Sequence, residues 1–506
     1  MTAQLPALQV IIPLLCAPFC VLLRSRTIAW LLFLAAAAGS LACAVVLAEQ
    51  VSDGEVLSYS MGGWRAPYGI EYVISGFNTP VLLLVSTIAV IVAVYSRRSL
   101  AAEVDSKRIP LLYACFCLNL AGLLGIVATG DAFNAFVFLE IASLSSYALI
   151  AMGRRRRALL AAFQYLVVGS IGAIFILIGI GLAYGVTGTL NMADLAQRLP
   201  EIYGNRALSA SVIFVFVGLA IKMAVFPLHS WLPDAYAEAP SAVSTFLAAT
   251  STKVAIYIFL RFAFTVFGAT LVFGTLTLDR IGLLLACLAM VIGSGAACFQ
   301  SDLKYLLAWS SVAQIGYIVA GFSLVTASGL EAAYLHVINH AVIKAALFGA
   351  AGLLLLRLGS VRLTDLAGFG RTMPWTFAAI VLAGLGLVGI PLTAGFVSKW
   401  ALAMALIEDG QGLVLAVMLV SSLLALVYVG RVVEIGWFRE PSPVIAASAV
   451  TATSATSRSS TAERLPRSMT VATWTLVLLS LYFGIDATLP ATLAESAATA
   501  LLGSGG

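Results

Sequence analysis

"HVINHAVIK", residues 336–344, lies inside an apolar block that runs from about 330 to 356. His336, Asn339, His340 and Lys344 stand at i, i+3, i+4 and i+8, so a helix places all four on one face. The rest of the block is greasy on every side, and it is long enough to reach the ~20 residues that cross the hydrocarbon core of a bilayer. A polar seam on such a helix must face protein or water, because lipid offers it no partner. The stretch therefore calls for a bundle of membrane-spanning helices around a polar interior.

The rest of the chain agrees. Of 506 residues 61% are hydrophobic and only 10% charged, with a mean hydropathy of +1.04; soluble domains carry about 25% charged residues. Apolar blocks are continuous, whereas a membrane β-barrel alternates apolar and polar residues in ~10-residue pieces. The fold class is an all-α polytopic membrane protein of about fourteen spans. They fall near 7–23, 28–48, 76–96, 110–129, 133–152, 160–185, 209–235, 241–267, 281–299, 305–326, 330–356, 375–406, 412–435 and 470–489. The opening segment has no basic stretch before its apolar run and no small-residue cleavage site, so a retained first span is expected. The seven cysteines lie in apolar segments and complete no metal or redox spacing, so no metal or cofactor is expected. No nucleic-acid partner is expected either, because the basic residues follow the membrane.

Charge sets the orientation. Loops after odd-numbered spans, with their flanks, hold 19 Lys and Arg residues, and loops after even-numbered spans hold Arg65, Arg198, Arg206 and Arg280. By the positive-inside rule the odd loops are cytoplasmic and both termini face out, and the expected location is the cell (inner) membrane. The Ala-, Ser- and Thr-rich stretch at 441–468 reads as a flexible linker before the last span.

Five basic residues remain. Arg261 lies close enough to a span end to snorkel. Lys222, Lys253, Lys344 and Lys399 lie deep in spans 7, 8, 11 and 12, and Glu140 is equally deep in "FVFLEIASLSSYAL" of span 5. A charge at the membrane centre costs roughly 2.5–3.5 kcal/mol even on a lenient scale, so five such groups need a function. Lysine is informative here: a desolvated amine releases its proton near neutral pH and a carboxylate neighbour restores it, whereas arginine stays charged. Histidine relays protons in the same range.

Two of these spans are interrupted. Span 7 reads "IKMAVFPLHSWLPDAY", with Pro227 after Lys222, then His229, Pro233 and Asp234. Span 12 reads "GLGLVGIPLTAGFVSKW", with Pro391 before Lys399. Helices broken in the membrane are tolerated only in protein or beside water, and a pair of them points to an ion path at the midplane. The order of Lys and Pro is reversed between the two, so they do not align as a simple repeat.

These residues carry a resemblance. "FVFLEIASLSSYAL", "IKMAVFPLHSWLPDAYAEAPSAVS", "HVINHAVIKAALF" and "GIPLTAGFVSKW" are similar to signatures of the antiporter-like, proton-translocating membrane subunits. That family comprises the L, M and N subunits of respiratory complex I and the A and D subunits of Mrp-type cation/proton antiporters. Within it, the chain length, "PLLCAPF" and "MGGWRAPYGIEYVIS" look most like the Mrp D branch, with the complex I N branch as nearest rival. The resemblance implies fourteen core helices with two inverted five-helix repeats, helices 4–8 and 9–13. It divides the chain into 1–109, 110–267, 281–435, the linker 436–469, and 470–506. It also implies a role for each deep residue: Glu140 as the family's glutamate and Lys222 as its ion-paired lysine. Lys253 would join two half-channels, His336, His340 and Lys344 would form the polar axis of the second half, and Lys399 would be the terminal lysine. Asn339, His229 and Asp234 are accessory positions. One residue departs from the pattern: the family's "WLPDAH" is "WLPDAY" here, and Tyr236, of a residue type with a pKa near 10, is a poorer relay than histidine.

The implied function is proton movement in exchange for Na⁺ or K⁺, as a subunit among other membrane subunits in the lipid bilayer. The alternative is a proton-pumping subunit of an NADH:quinone oxidoreductase or membrane-bound hydrogenase. In neither case does the chain carry electron chemistry, since it has no cysteine cluster, haem motif or nucleotide fingerprint. A transport-dead scaffold would have no reason to keep five costly buried charges.

Overall fold

Apolar helices longer than ~20 residues have their backbone bonds satisfied internally, so stacking them side by side is the available way to fold in lipid. The computed structural model describes residues 4–52, 54–153, 155–445 and 465–503. It begins with α1 (Leu5–Leu22), α2 (Arg26–Gln50), a hairpin of β1 (Leu57–Ser60) and β2 (Glu71–Ile74), and α3 (Thr79–Glu103). Next come α4 (Ile109–Ala128), α5 (Ala132–Ala151), α6 (Arg156–Thr187), the short α7 (Met192–Arg198), α8 (Arg206–Met223), α9 (Trp231–Glu238) and α10 (Ser241–Leu260). The second half holds α11 (Leu278–Phe299), α12 (Leu303–Phe322), α13 (Ala327–Leu358), the short α14 (Phe369–Thr372), α15 (Pro374–Val388), α16 (Ala394–Glu408) and α17 (Gly412–Val433). Helices Arg467–Ile485 and Thr488–Gly503 close the described chain. Most of the expected linker, at 446–464, lies outside the described residues.

Among the described residues thirteen helices are long and apolar enough to span a membrane. The expected fourteenth, at 375–406, is split into α15 and α16 of 15 residues each. At 1.5 Å per residue neither alone covers ~30 Å of hydrocarbon. Span 7 is likewise split into α8 and α9. The antiparallel hairpin has no counterpart in the sequence reading; β2 turns Tyr72 and Ile74 inward against the helices.

The helix that carries the polar seam is the centre of the bundle. From Gly329 to Leu354 nearly every residue of α13 is buried, and it packs against α3, α10, α12, α15, α16 and both closing helices. Its seam therefore faces protein.

The two halves share a set of devices. Asp131 caps α5 by accepting from the Asn134 amide (2.7 Å), and Asp302 caps α12 by accepting from the Lys304 amide (2.8 Å). Each aspartate also forms an isolated antiparallel bridge, to Asn191 and Arg362 respectively. Both α6 and α13 run 32 residues and end on a left-handed glycine, Gly188 and Gly359. A broken helix follows in each half, and α10 and α17 both run on into a π-helical turn, Arg261–Val266 and Glu434–Phe438. An Asp131→Ala variant removes one cap and is expected to lower stability by about 1 kcal/mol, read as a shift of the thermal transition in detergent.

Loop parity is also visible in space. Arg155, Ser301 and Arg362, from loops after odd-numbered spans, line one polar basin, whereas Val56, Gly130 and Gln197, from loops after even-numbered spans, line another. The span assignment is consistent with this sorting.

Candidate proton pathway

Where α8 ends, Ala224 takes a left-handed conformation (φ 57°), and the chain runs irregularly to α9 through Pro227, which lacks the amide a continuing helix needs. Freed carbonyls there find donors: Trp231 Nε1 gives to Ile221 O at 2.9 Å and the Val225 amide to Ala220 O at 3.0 Å. Lys222, in the last turn of α8, reaches α5, with Nζ 3.4 Å from Glu140 Oε1 and 2.7 Å from Ser143 Oγ. The lysine is buried, while the Glu140 side chain is 27% exposed.

Span 12 breaks at Gly389 (φ 91°) and Leu392 (φ 70°), with Pro391 between them. Lys399 follows the break, yet its Nζ turns back to the carbonyls of Leu387 and Val388, both at 3.0 Å, and to Ser422 Oγ at 3.2 Å. It also sits 4.6 Å above the Tyr317 ring. Lys399 thus binds the C-terminal carbonyls of a first half-helix, where the backbone dipole is negative. Lys222 lies in the last turn of the other first half-helix but reaches across to α5.

Between the breaks lie the remaining groups. Lys253 on α10 is 1% exposed and donates to Ala248 O at 2.6 Å. On α13, Lys344 Nζ meets Leu307 O at 2.8 Å and Ser310 Oγ at 2.5 Å on α12. His336 bridges two helices, with Nδ1 2.9 Å from Ser398 Oγ and Nε2 2.9 Å from Gln314 Oε1. Asn339 donates to Ala394 O at 2.8 Å, at the start of α16. The His340 ring lies parallel to that of His336, centroids 5.8 Å apart, and neither of its nitrogens has a protein partner among the described residues. A buried imidazole with no protein partner is where interior water is expected.

The accessory positions divide. Asp234 Oδ1 accepts from Tyr305 OH at 2.9 Å. His229 stacks on Phe226 and meets Trp309 edge-on. Tyr236 is buried, its hydroxyl gives to Leu247 O at 3.1 Å, and its ring stands edge-on to Trp231 and Phe348. It belongs to the packed core and not to an exposed surface.

Arg261 is 8% exposed, with Nη1 2.7 Å from Tyr257 OH and 3.4 Å from Val127 O at the end of α4, and it lines the even-loop basin. One sequence reading needs correction. Lys304, counted among the loop cations, is 2% exposed and donates to Ala239 O at 2.7 Å. The uncharged partners Ser143, Gln314 and Ser398 were not singled out, and nothing in their spacing marks them.

Among the described residues the membrane interior holds one ion pair, Lys222–Glu140. Lys253, Lys344 and Lys399 have carbonyls, hydroxyls and a ring instead of a carboxylate. Holding three unpaired ammonium groups there at once is expensive, so protons must be shared among these sites or compensated by water. The arrangement suits charges that come and go.

Residues 129–425 match the family described as the NADH:quinone oxidoreductase/Mrp antiporter transmembrane family. The chain belongs to this family. It is 44% identical over 439 residues, 86% of each chain, to the N subunit of the NADH-quinone oxidoreductase of Desulforudis audaxviator. It is 32% identical over 424 residues, 84% of this chain and 85% of the other, to the D subunit of the Na⁺/H⁺ antiporter of Alkalihalophilus pseudofirmus. A chain of the Mrp complex from Dietzia superposes with a TM-score of 0.87 at 28% identity, covering 99% of this chain and 97% of that one. As a member of the NADH:quinone oxidoreductase/Mrp antiporter family, the chain is a multi-pass membrane protein with hetero-oligomeric relatives.

Proposed function

We propose that the chain is the proton-translocating, D-type subunit of a multisubunit monovalent cation/proton antiporter. Protons move along Glu140, Lys222, Lys253, Lys344, His340, His336 and Lys399, in exchange for Na⁺ or K⁺. The observation that carries this reading is the Lys222–Glu140 pair at a helix break, followed by three buried lysines without carboxylates. Breaking the pair frees an amine in a dry interior, which then sheds its proton to the next site. The antiporter name of one relative and the Mrp neighbour support the exchange. In this reading the two five-helix units, 110–267 and 281–435, are inverted with respect to each other, because five crossings return the second unit from the opposite side. The odd loops face the cytoplasm and both termini face out.

Glu140 supports a partner. Phe133, Val137 and Leu144 are exposed on the same face of α5 as its partly exposed side chain, and a carboxylate there needs protein cover rather than lipid. A neighbouring membrane subunit on this face supplies it.

The second reading, an N-type subunit of a redox complex, is favoured by the identity to an oxidoreductase subunit. The test is exchange by the whole complex in vesicles carrying a pH-sensitive dye. A pulse of Na⁺ or K⁺ is expected to move protons with no electron donor present. Proton movement only when a reductant and quinone are supplied would overturn the antiporter reading in favour of the second.

A further inference from the structure

The basin at the odd-loop end has a volume of about 1010 Å³ and is lined by arginines and carboxylates, among them Arg155, Arg362, Asp302 and Asp365, with Glu238 and Tyr305 also on its wall. Glu238 is only 7% exposed, although it faces this open space. Its Oε1 lies 3.2 Å from Tyr305 OH, and its Oε2 is buried with no hydrogen-bond partner among the described residues. Tyr305 OH is also 2.9 Å from Asp234 Oδ1. A tyrosine hydroxyl carries one hydrogen, so it can serve one of these two carboxylates at a time. When the hydroxyl serves Asp234, the Glu238 carboxylate is left without a donor in a buried position, and a carboxylic acid there could itself donate.

We propose that Glu238 is the proton-loading residue on the basin side, with Tyr305 as its positioning residue, and that protons pass from it toward Lys344. The inference rests on the reading of the chain as a proton translocator. A hydronium ion in the basin gives its proton to the Glu238 carboxylate, on the basin wall, and leaves as water; the carboxylic acid then releases the same proton inward and returns to carboxylate. Charged and titratable groups sharing the basin or a bond with Glu238 are Tyr305, itself bonded to Asp234, with Arg155, Arg156, Arg157, Asp302, Arg362 and Asp365; Lys304, whose own neighbours include Glu103 and Glu238, lies beside them. Lys304 Nζ binds Ala239 O, the residue next to Glu238, at 2.7 Å. Leu307 and Ser310, which hold Lys344, lie three and six residues further along α12, about 4.5 and 9 Å of helix rise. Glu238 and Lys344 thus bond the same helix, α12, at Tyr305 and at Ser310, five residues apart. Tyr236 has no place on this route, since its hydroxyl is spent on Leu247 O and it does not line the basin. The tyrosine at 236 therefore leaves proton uptake intact.

The test uses the whole complex in vesicles. Glu238→Gln is expected to slow exchange about tenfold or more, and Glu238→Asp to restore most of the rate. Tyr305→Phe is expected to shift the pH dependence of the rate and to slow it several-fold. An infrared carboxyl C=O band that grows as the basin side is acidified is expected in the native complex and absent in Glu238→Gln. Native exchange and an unchanged band in Glu238→Gln overturn the assignment while leaving the function standing. Should Glu238→Gln not assemble, a native rate and pH profile in Tyr305→Phe overturn it. If the native complex moves no protons under any drive, the functional reading itself fails.

Discussion

Lys222→Ala is expected to reduce cation-coupled proton movement by roughly 100-fold or more, the lower range for removing a residue that must take and give a proton. Assembly is read alongside the rate, because Glu140 is left without its lysine partner. Lys222→Arg is the sharper variant. It keeps a cation opposite Glu140 but holds its proton throughout, so exchange is expected to stay low while assembly stays normal. Glu140→Ala should behave differently. It leaves a buried amine with only Ser143 for company, and stripping one member from a buried pair costs about 3 kcal/mol or more while the other remains charged. Exchange assayed with a pH-sensitive dye, together with native-gel assembly, separates the three. A native rate in assembled Lys222→Ala sinks the pathway.

Much of this site could be read from the sequence because membrane burial penalises charge so heavily. Lys222, Lys253, Lys344 and Lys399 stood out in runs where nothing polar is tolerated for free, and Pro227 and Pro391 marked breaks that the fold then makes. The seam on α13 followed from helical spacing alone. What could not be read lies at the ends of spans and in uncharged residues. Lys304 sits in the first turn of α12, where a sequence reading sees interface; only the packing of Ala239 over it makes it interior. Arg261 lies near a span end, as its place in the sequence suggests, but its partners Tyr257 and the Val127 carbonyl of α4 could not be read. Ser143, Gln314 and Ser398 are ordinary residues for a membrane helix, and their roles come from which helix faces which. The side-chain direction of Lys399, which folds back toward Leu387, could not be read either.

Gly395→Ala is expected to disrupt the second broken helix. A Cβ at this position would run into the backbone carbonyl of Gly386 across the joint between α15 and α16. Neither side can yield cheaply. The obstacle is backbone, so no rotamer change relieves it. Moving α15 away carries its backbone toward α13, whose Ile343 side chain faces Gly386 and would have to repack. Moving α16 away instead withdraws Lys399 from the carbonyls of Leu387 and Val388, each now 3.0 Å from Nζ. Overpacking of this kind costs typically 1–3 kcal/mol and more where the neighbours are rigid, so about 3 kcal/mol or more is expected here. The control is Gly181→Ala on α6, where an added Cβ meets nothing within 4 Å and the helix gains about 0.5–1 kcal/mol from the better helix former. The two variants differ by one methyl each, yet their thermal transitions in detergent should move in opposite directions, with the yield of assembled complex falling only for Gly395→Ala. Equal transitions would mean that α15 and α16 do not meet at these glycines, and the placement of Lys399 at the end of α15 would go with them.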